Sequence, residues 1–74
     1  MCKVMLVDEE SGMKNFVISE METINQILLH YNMDPDKKIV YLNGSILSRT
    51  RMEQPLNMTG TAFLAVKNKR YIRV

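Results

Sequence analysis

Ile24, Ile27, Leu28 and Tyr31 recur at i, i+3, i+4 and i+7, the spacing that sets four side chains on one face of an α-helix. Short β-favouring runs stand on both sides of this segment. A fold for the chain must therefore lay one amphipathic helix against strands drawn from before and after it. Two helix-start signals overlap: Ser19 with Glu22, and Thr23 with Gln26. Each matches a capping box, in which a hydroxyl and a carboxylate or amide satisfy orphan backbone donors. Thr23 is the expected cap because it directly precedes the periodic stretch. Asp34-Pro35 is expected to close the helix, since the residue before proline is pushed out of the α region.

Cys2 to Glu9 alternates weakly and is rich in Val, Leu and Met, which suits a strand with Val4 and Leu6 on one face and Met5 and Val7 on the other. Residues 10–14 supply a turn, with Gly12 free to take a positive φ. Asn15 to Ser19 holds Phe16, Val17 and Ile18, so the first nineteen residues read as an antiparallel hairpin with a loop longer than two residues. After the helix, Ile39-Val40-Tyr41-Leu42 is a strand. Asn43-Gly44 then signals a type I′ turn, and Ser45-Ile46-Leu47 returns briefly. Ser48 to Asn57 is polar and is expected to wrap the surface, carrying Leu56 and Met52 inward. Thr61 to Lys67 is the last strand, reached through Thr59-Gly60 and apolar on both faces at Phe63, Leu64 and Val66. Such a strand belongs in the middle of a sheet, beside the first strand.

Seventy-four residues make one domain, close to the lower size at which a single core holds without disulfides or metal. With 46% hydrophobic residues, two prolines and three glycines, the composition supports that core. The lone Cys2 excludes an internal disulfide and fits a reducing compartment, so the cytoplasm is the expected location. No apolar run approaches the roughly 18 residues that cross a bilayer. The first eight residues are too short for an export signal, and Asp8-Glu9-Glu10 directly after the apolar run is too acidic for one. Cys2 also lacks the apolar segment that precedes a lipoprotein cysteine. The net charge of +2 hides an uneven distribution: residues 1–36 carry an acidic excess of five, and residues 37–74 a basic excess of seven. The split either polarises the surface or is consumed by pairing within one small sheet; pairing is the expectation.

A hairpin, a helix laid across it and then further strands is the order of the β-grasp fold. We expect an α+β domain over residues 1–67, a mixed four- to five-stranded sheet with one helix packed across it, followed by a basic C-terminal tail over residues 68–74. Through Glu22 to Leu29, Met33-Asp34-Pro35-Asp36 and Ile39 to Leu47, the chain resembles the ThiS and MoaD sulfur carriers within the ubiquitin-like β-grasp group. Those proteins have a similar capped helix with paired leucines, a short loop, a strand and an Asn-Gly turn with a small apolar return. Thr59-Gly60-Thr61-Ala62 resembles their Asp-Gly-Asp lead-in to the last strand, without its acidic residues. The resemblance implies a flexible C-terminal Gly-Gly that an activating enzyme adenylates before it becomes a thiocarboxylate. Arg73-Val74 does not fit that role, because the branched side chain of Val74 obstructs attack at its own carboxyl and Arg73 is too bulky for a narrow channel.

No group of residues reads as an active site, and neither a cofactor nor a metal is implied. His30, in the last helical turn, has no second ligand at a helical spacing and is expected to face solvent, favouring the helix dipole when protonated. Cys2 reads as a buried or edge strand residue. Asp8-Glu9-Glu10 lacks the spaced pattern of a calcium loop and reads as a solvated hairpin end. Of the seven methionines, Met5, Met33 and Met58 are expected in the core, whereas Met13 and Met21 have polar neighbours. The expected function is therefore that of a non-enzymatic binding protein whose partner is another protein, an activating-enzyme-like or biosynthetic one included. The contact falls to the exposed sheet face or to Lys67, Lys69, Arg70, Tyr71, Ile72, Arg73 and Val74. The alternative is a sulfur carrier for thiamine or molybdopterin-type biosynthesis with an extended or processed tail. A third reading is weak nucleic-acid binding, in which Arg49 and Arg51 join the basic end and Tyr71 stacks on bases.

Overall fold

The structure is a computed structural model, and it describes residues 1–69. Five strands, β1 (Cys2–Asp8), β2 (Gly12–Ile18), β3 (Lys38–Leu42), β4 (Ser45–Ile46) and β5 (Gly60–Asn68), form one sheet in the order β2-β1-β5-β3-β4. β1 and β5 run parallel, and every other pair is antiparallel. The last strand is therefore central and lies beside the first, as its two apolar faces require. Helix α1 (Ile24–His30) buries Ile24, Ile27 and Leu28. They pack against Val4 and Leu6 of β1, Val40 of β3 and Ala62, Leu64 and Val66 of β5 in one core. Tyr31 is half-buried at its margin and meets the Phe16 ring at 5.3 Å.

Thr23 caps α1 as its position predicts: its hydroxyl accepts from Gln26 N–H, and the Gln26 side chain accepts in return from Thr23 N–H. The helix nonetheless ends before Asp34-Pro35. Asn32 takes the left-handed conformation at φ 60°, its N–H reaches Leu29 O, and Met33 N–H reaches Leu28 O. This is a Schellman motif with asparagine in the usual glycine place, and its apolar pair, Leu28 and Met33, is buried. Asp34 instead caps a 3₁₀ turn over Pro35–Lys37.

Other boundaries also move. The hairpin loop is only Glu9 to Ser11, with Gly12 at φ 81° already paired to Asp8. Met5 belongs to the face of β1 turned away from α1, so it is not a core residue; Met33 and Met52 are, and Met58 packs at the core's edge. A helical turn, α2 (Arg49–Met52), capped by Ser48, interrupts the polar stretch and turns Met52 inward; Leu56 follows it into the core. Arg51 donates to the carbonyls of Pro55 (2.9 Å) and Leu56 (2.8 Å), which holds that stretch against the domain. β5 continues past Lys67: Asn68 pairs with Lys38, and Lys69 N–H donates to Lys37 O. Asn68 is thus the last residue of β5, and Lys69 adds one main-chain bond beyond it; residues 70–74 lie outside the described residues. Among the described residues no helix is long and apolar enough to cross a membrane.

Candidate functional site: the open sheet face

A β-strand sends alternate side chains to opposite faces, and α1 covers one face of this sheet. The other carries Lys3, Met5 and Val7 from β1, Thr61, Phe63, Ala65 and Lys67 from β5, Ile39 and Tyr41 from β3, and Ile46 from β4. Register aligns Val7, Ala65, Tyr41 and Ile46 in one row across four strands, with Met5 and Phe63 side by side in the next. Phe63 is 42% and Ile46 63% exposed, high values for large apolar side chains on neighbouring parts of one surface. The charged strand residues on this face are Lys3 and Lys67, both cationic. The Lys67 ammonium lies 5.9 Å from the centre of the Tyr41 ring, within cation–π range. Beside Met5 a shallow cavity of about 340 Å³ opens between β1 and β2, lined by Lys3, Asn15, Val17 and Thr61 among others.

The Asn43-Gly44 turn fixes one end of this face. Asn43 at φ 48° and Gly44 at φ 88° are the type I′ pair the dipeptide predicts. Asn43 also exchanges two bonds with Phe63: its N–H donates to Phe63 O at 2.8 Å, and its side-chain oxygen accepts from Phe63 N–H at 2.9 Å. The turn is thereby anchored to the strand that presents the aromatic ring.

At the far end of the sheet the strands converge on a buried polar cluster. Asp8 and Lys38 are both buried, with 3.7 Å between Lys38 Nζ and Asp8 Oδ1. The other Asp8 oxygen accepts from the Ser11 hydroxyl (2.7 Å) and the Ser11 N–H (3.2 Å), and Lys38 donates to the Asn68 side chain. Burial by itself would raise the Asp8 pKa; the Ser11 bonds and the Lys38 ammonium outweigh it and hold the carboxyl below its ordinary value. Glu9 and Glu10 accept from the Asn68 N–H and side-chain amide, so the acidic hairpin end is bound to β5 rather than simply solvated.

Of the residues singled out in the sequence, Lys67 is on the open face, Lys69 is half-buried beside β3, and Arg70, Tyr71, Ile72, Arg73 and Val74 lie outside the described residues. Arg49 pairs with Asp36 and Arg51 with main-chain carbonyls, so neither is presented with Lys67 as a basic surface. His30 is exposed, with its ring edge-on to Tyr31 at 5.0 Å, and Cys2 is fully buried. Among the described residues no three metal-ligating side chains come together. The charge imbalance between the halves is partly consumed across them, by Asp8 with Lys38 and Asp36 with Arg49. The apolar row on the open face was not singled out from the sequence. Its signal within β5 is the alternation Phe63, Ala65, Lys67 against Ala62, Leu64, Val66, but the row across four strands exists only through register.

No family model and no curated protein matches the chain. Solved structures do. A ubiquitin-like domain from Arabidopsis thaliana superimposes with a TM-score of 0.68 at 19% identity, covering 99% of this chain and 82% of that one. A designed protein based on human erythrocytic ubiquitin gives 0.65 at 12% identity, covering 100% and 99%. The ubiquitin of Caldiarchaeum subterraneum gives 0.63 at 13% identity, covering 95% of each. With sheet order, helix placement and these similarities in agreement, the chain has the ubiquitin-like, β-grasp fold.

Proposed function

We propose that this chain is a small, non-enzymatic protein-binding module that docks through its open sheet face. One observation carries the reading: Phe63 and Ile46 stay exposed in a contiguous apolar surface whose charged strand residues, Lys3 and Lys67, are both cationic. The surface suits an apolar partner segment flanked by acidic side chains, the cations steering its approach and the aromatic and aliphatic side chains supplying the contact area. Lys67 belongs to this contact; Lys69 and the segment Arg70 to Val74 extend it in sequence. The cytoplasm is the compartment we assign, on the single cysteine.

The test is affinity capture from native extract with wild type, Phe63→Asp and Leu29→Asp, the last substituting an exposed position on α1. Partners are expected to be lost with Phe63→Asp and kept with Leu29→Asp. An identical set of partners on Phe63→Asp would overturn the reading. Resemblance to ThiS and MoaD through the capped helix and the Asn43-Gly44 turn supports a second reading, a sulfur carrier. Intact-mass spectrometry of the protein from its own cells distinguishes the two, since a carrier yields a terminal thiocarboxylate and a binding module does not.

A further inference from the structure

The two edges of the sheet differ. β4 offers two residues, whereas β2 offers seven, with neither proline nor bulge to protect them. Strand register and hydrogen bonding together fix which β2 groups face outward. Asn43 N–H donates to Phe63 O and Lys69 N–H to Lys37 O, so the odd-numbered residues of β5 turn their main chain toward β3, and the even-numbered ones turn toward β1. In the parallel pairing of Val4 with Ala62, the odd-numbered residues of β1 then serve β5 and the even-numbered ones serve β2. On β2, Lys14, Phe16 and Ile18 face inward. Met13, Asn15 and Val17 direct N–H and C=O to the outside, where no described residue takes them up. An open ladder of this kind is a template for another strand.

We propose that this edge is a self-association site, at which β2 of a second copy of the chain pairs antiparallel with the two-fold axis at Asn15. Three features select a second copy as the occupant. First, the register is complete: with Asn15 on the axis all seven residues pair, and the outward-facing groups of Met13, Asn15 and Val17 meet their counterparts. Second, Met13 (60% exposed) lies opposite Val17 (54% exposed) of the second copy, twice, so two exposed apolar side chains cover each other. Third, the edge is electrically self-complementary. On the α1 side of the edge, Glu22 lines the groove beside Ile18, and Lys14 stands at the other end, where Lys14 Nζ is 5.3 Å from the Tyr31 ring centre. Antiparallel two-fold pairing brings the acidic end of each copy to the basic end of the other. Glu9 and Glu10, also at the basic end, turn to Asn68 on the opposite side of β1. Moving the axis one residue to Lys14 would instead set two ammonium groups face to face. Flanking the edge, a groove of about 360 Å³ lined by Phe16, Ile18, Ile27 and Tyr31 leaves room for the facing side chains of the second strand.

Sedimentation equilibrium of the full chain from about 10 µM to about 1 mM, with amide hydrogen exchange at both ends of that range, tests the proposal. The mass is expected to rise from 8.6 kDa toward twice that value. Exchange at Met13, Asn15 and Val17 should slow by about tenfold or more at the higher concentration. Asn15→Pro removes an outward N–H and leaves the β1 ladder intact; with its circular dichroism unchanged, it should remain monomeric. A chain that stays monomeric at about 1 mM would overturn the proposal. So would a dimer protected at Phe63 rather than on β2, or an Asn15→Pro variant that associates like wild type.

Discussion

Replacing Lys38 with methionine isolates the buried cluster at the end of the sheet. Asp8 and Lys38 side chains are 3% and 8% exposed, and Asp8 Oδ1 has no hydrogen-bond partner, only the charge of the ammonium 3.7 Å away. At that separation two unit charges attract by about 4 kcal/mol at an effective dielectric of 20, and removing one partner of a buried pair typically costs roughly 3–5 kcal/mol because the other charge is left uncompensated. Ser11 continues to stabilise one Asp8 oxygen, so we expect the lower value, about 3 kcal/mol at pH 7. A chain of this size has roughly 4–11 kcal/mol in total, and the loss should lower Tm by roughly 12–24 °C. The Asp8 pKa is depressed in the fold, so its contribution is present above the ordinary carboxylate value of 3.8 and disappears as pH falls through the lower folded value. The gap between wild type and Lys38→Met should therefore close in acid. Urea unfolding followed by circular dichroism at pH 7 and near pH 2 reads both effects. Asp8→Asn combined with Lys38→Met should be less costly than the sum of the single changes. A loss below about 1 kcal/mol at pH 7, or a gap independent of pH, would refute the argument that the pair is desolvated and mutually compensating.

Thr23→Ala removes the α1 cap and should cost about 1 kcal/mol in urea unfolding, with Thr23→Ser recovering most of it. Leu64→Ala, in the fully buried middle of the central strand, should cost roughly 3–5 kcal/mol through the cavity it leaves. Asn43→Gly keeps the left-handed turn but loses the acceptor for Phe63 N–H, so it should be milder than Asn43→Ala, which loses both; thermal melts rank them. Phe63→Asp should remove partner capture and also cost roughly 1–2 kcal/mol, because more than half of the ring is covered on the central strand; circular dichroism must show the fold retained where capture is compared.

The features legible in the sequence are those whose signals lie within one turn or one strand. The i, i+3, i+4, i+7 spacing identified the buried face of α1, Thr23 with Gln26 identified its cap, and Asn43-Gly44 identified the I′ turn. The two-faced apolarity of residues 62–66 identified the central strand. Other features escaped because their causes are distant or too brief. Asp8 and Lys38 are thirty residues apart, and no local pattern announces that β1 ends where β3 begins, on either side of β5. α2 is one turn long, too short for periodicity. Asn32 ended α1 because asparagine, unlike most residues with a Cβ, can adopt the left-handed conformation; Pro35, three residues beyond, was not needed. The open face was half legible, since its residues were placed on strands but their alignment across four strands is a property of register alone.

The parallel pairing of β1 with β5 also sets a clock. Each residue of the first central strand pairs with one synthesised about 58 residues later, which at about 5–20 residues per second is roughly 3–12 s. Through that interval the apolar faces of the hairpin have α1 to meet but no neighbouring strand, and the sheet closes only when β5 clears the ribosome. A pause in translation within α2 or the loop before Gly60 would lengthen the exposure of Val4 and Leu6, and a chain arrested there would carry an open hairpin edge on both sides. Until β5 is made, translation rather than the intrinsic folding speed of a small domain sets when the sheet can close.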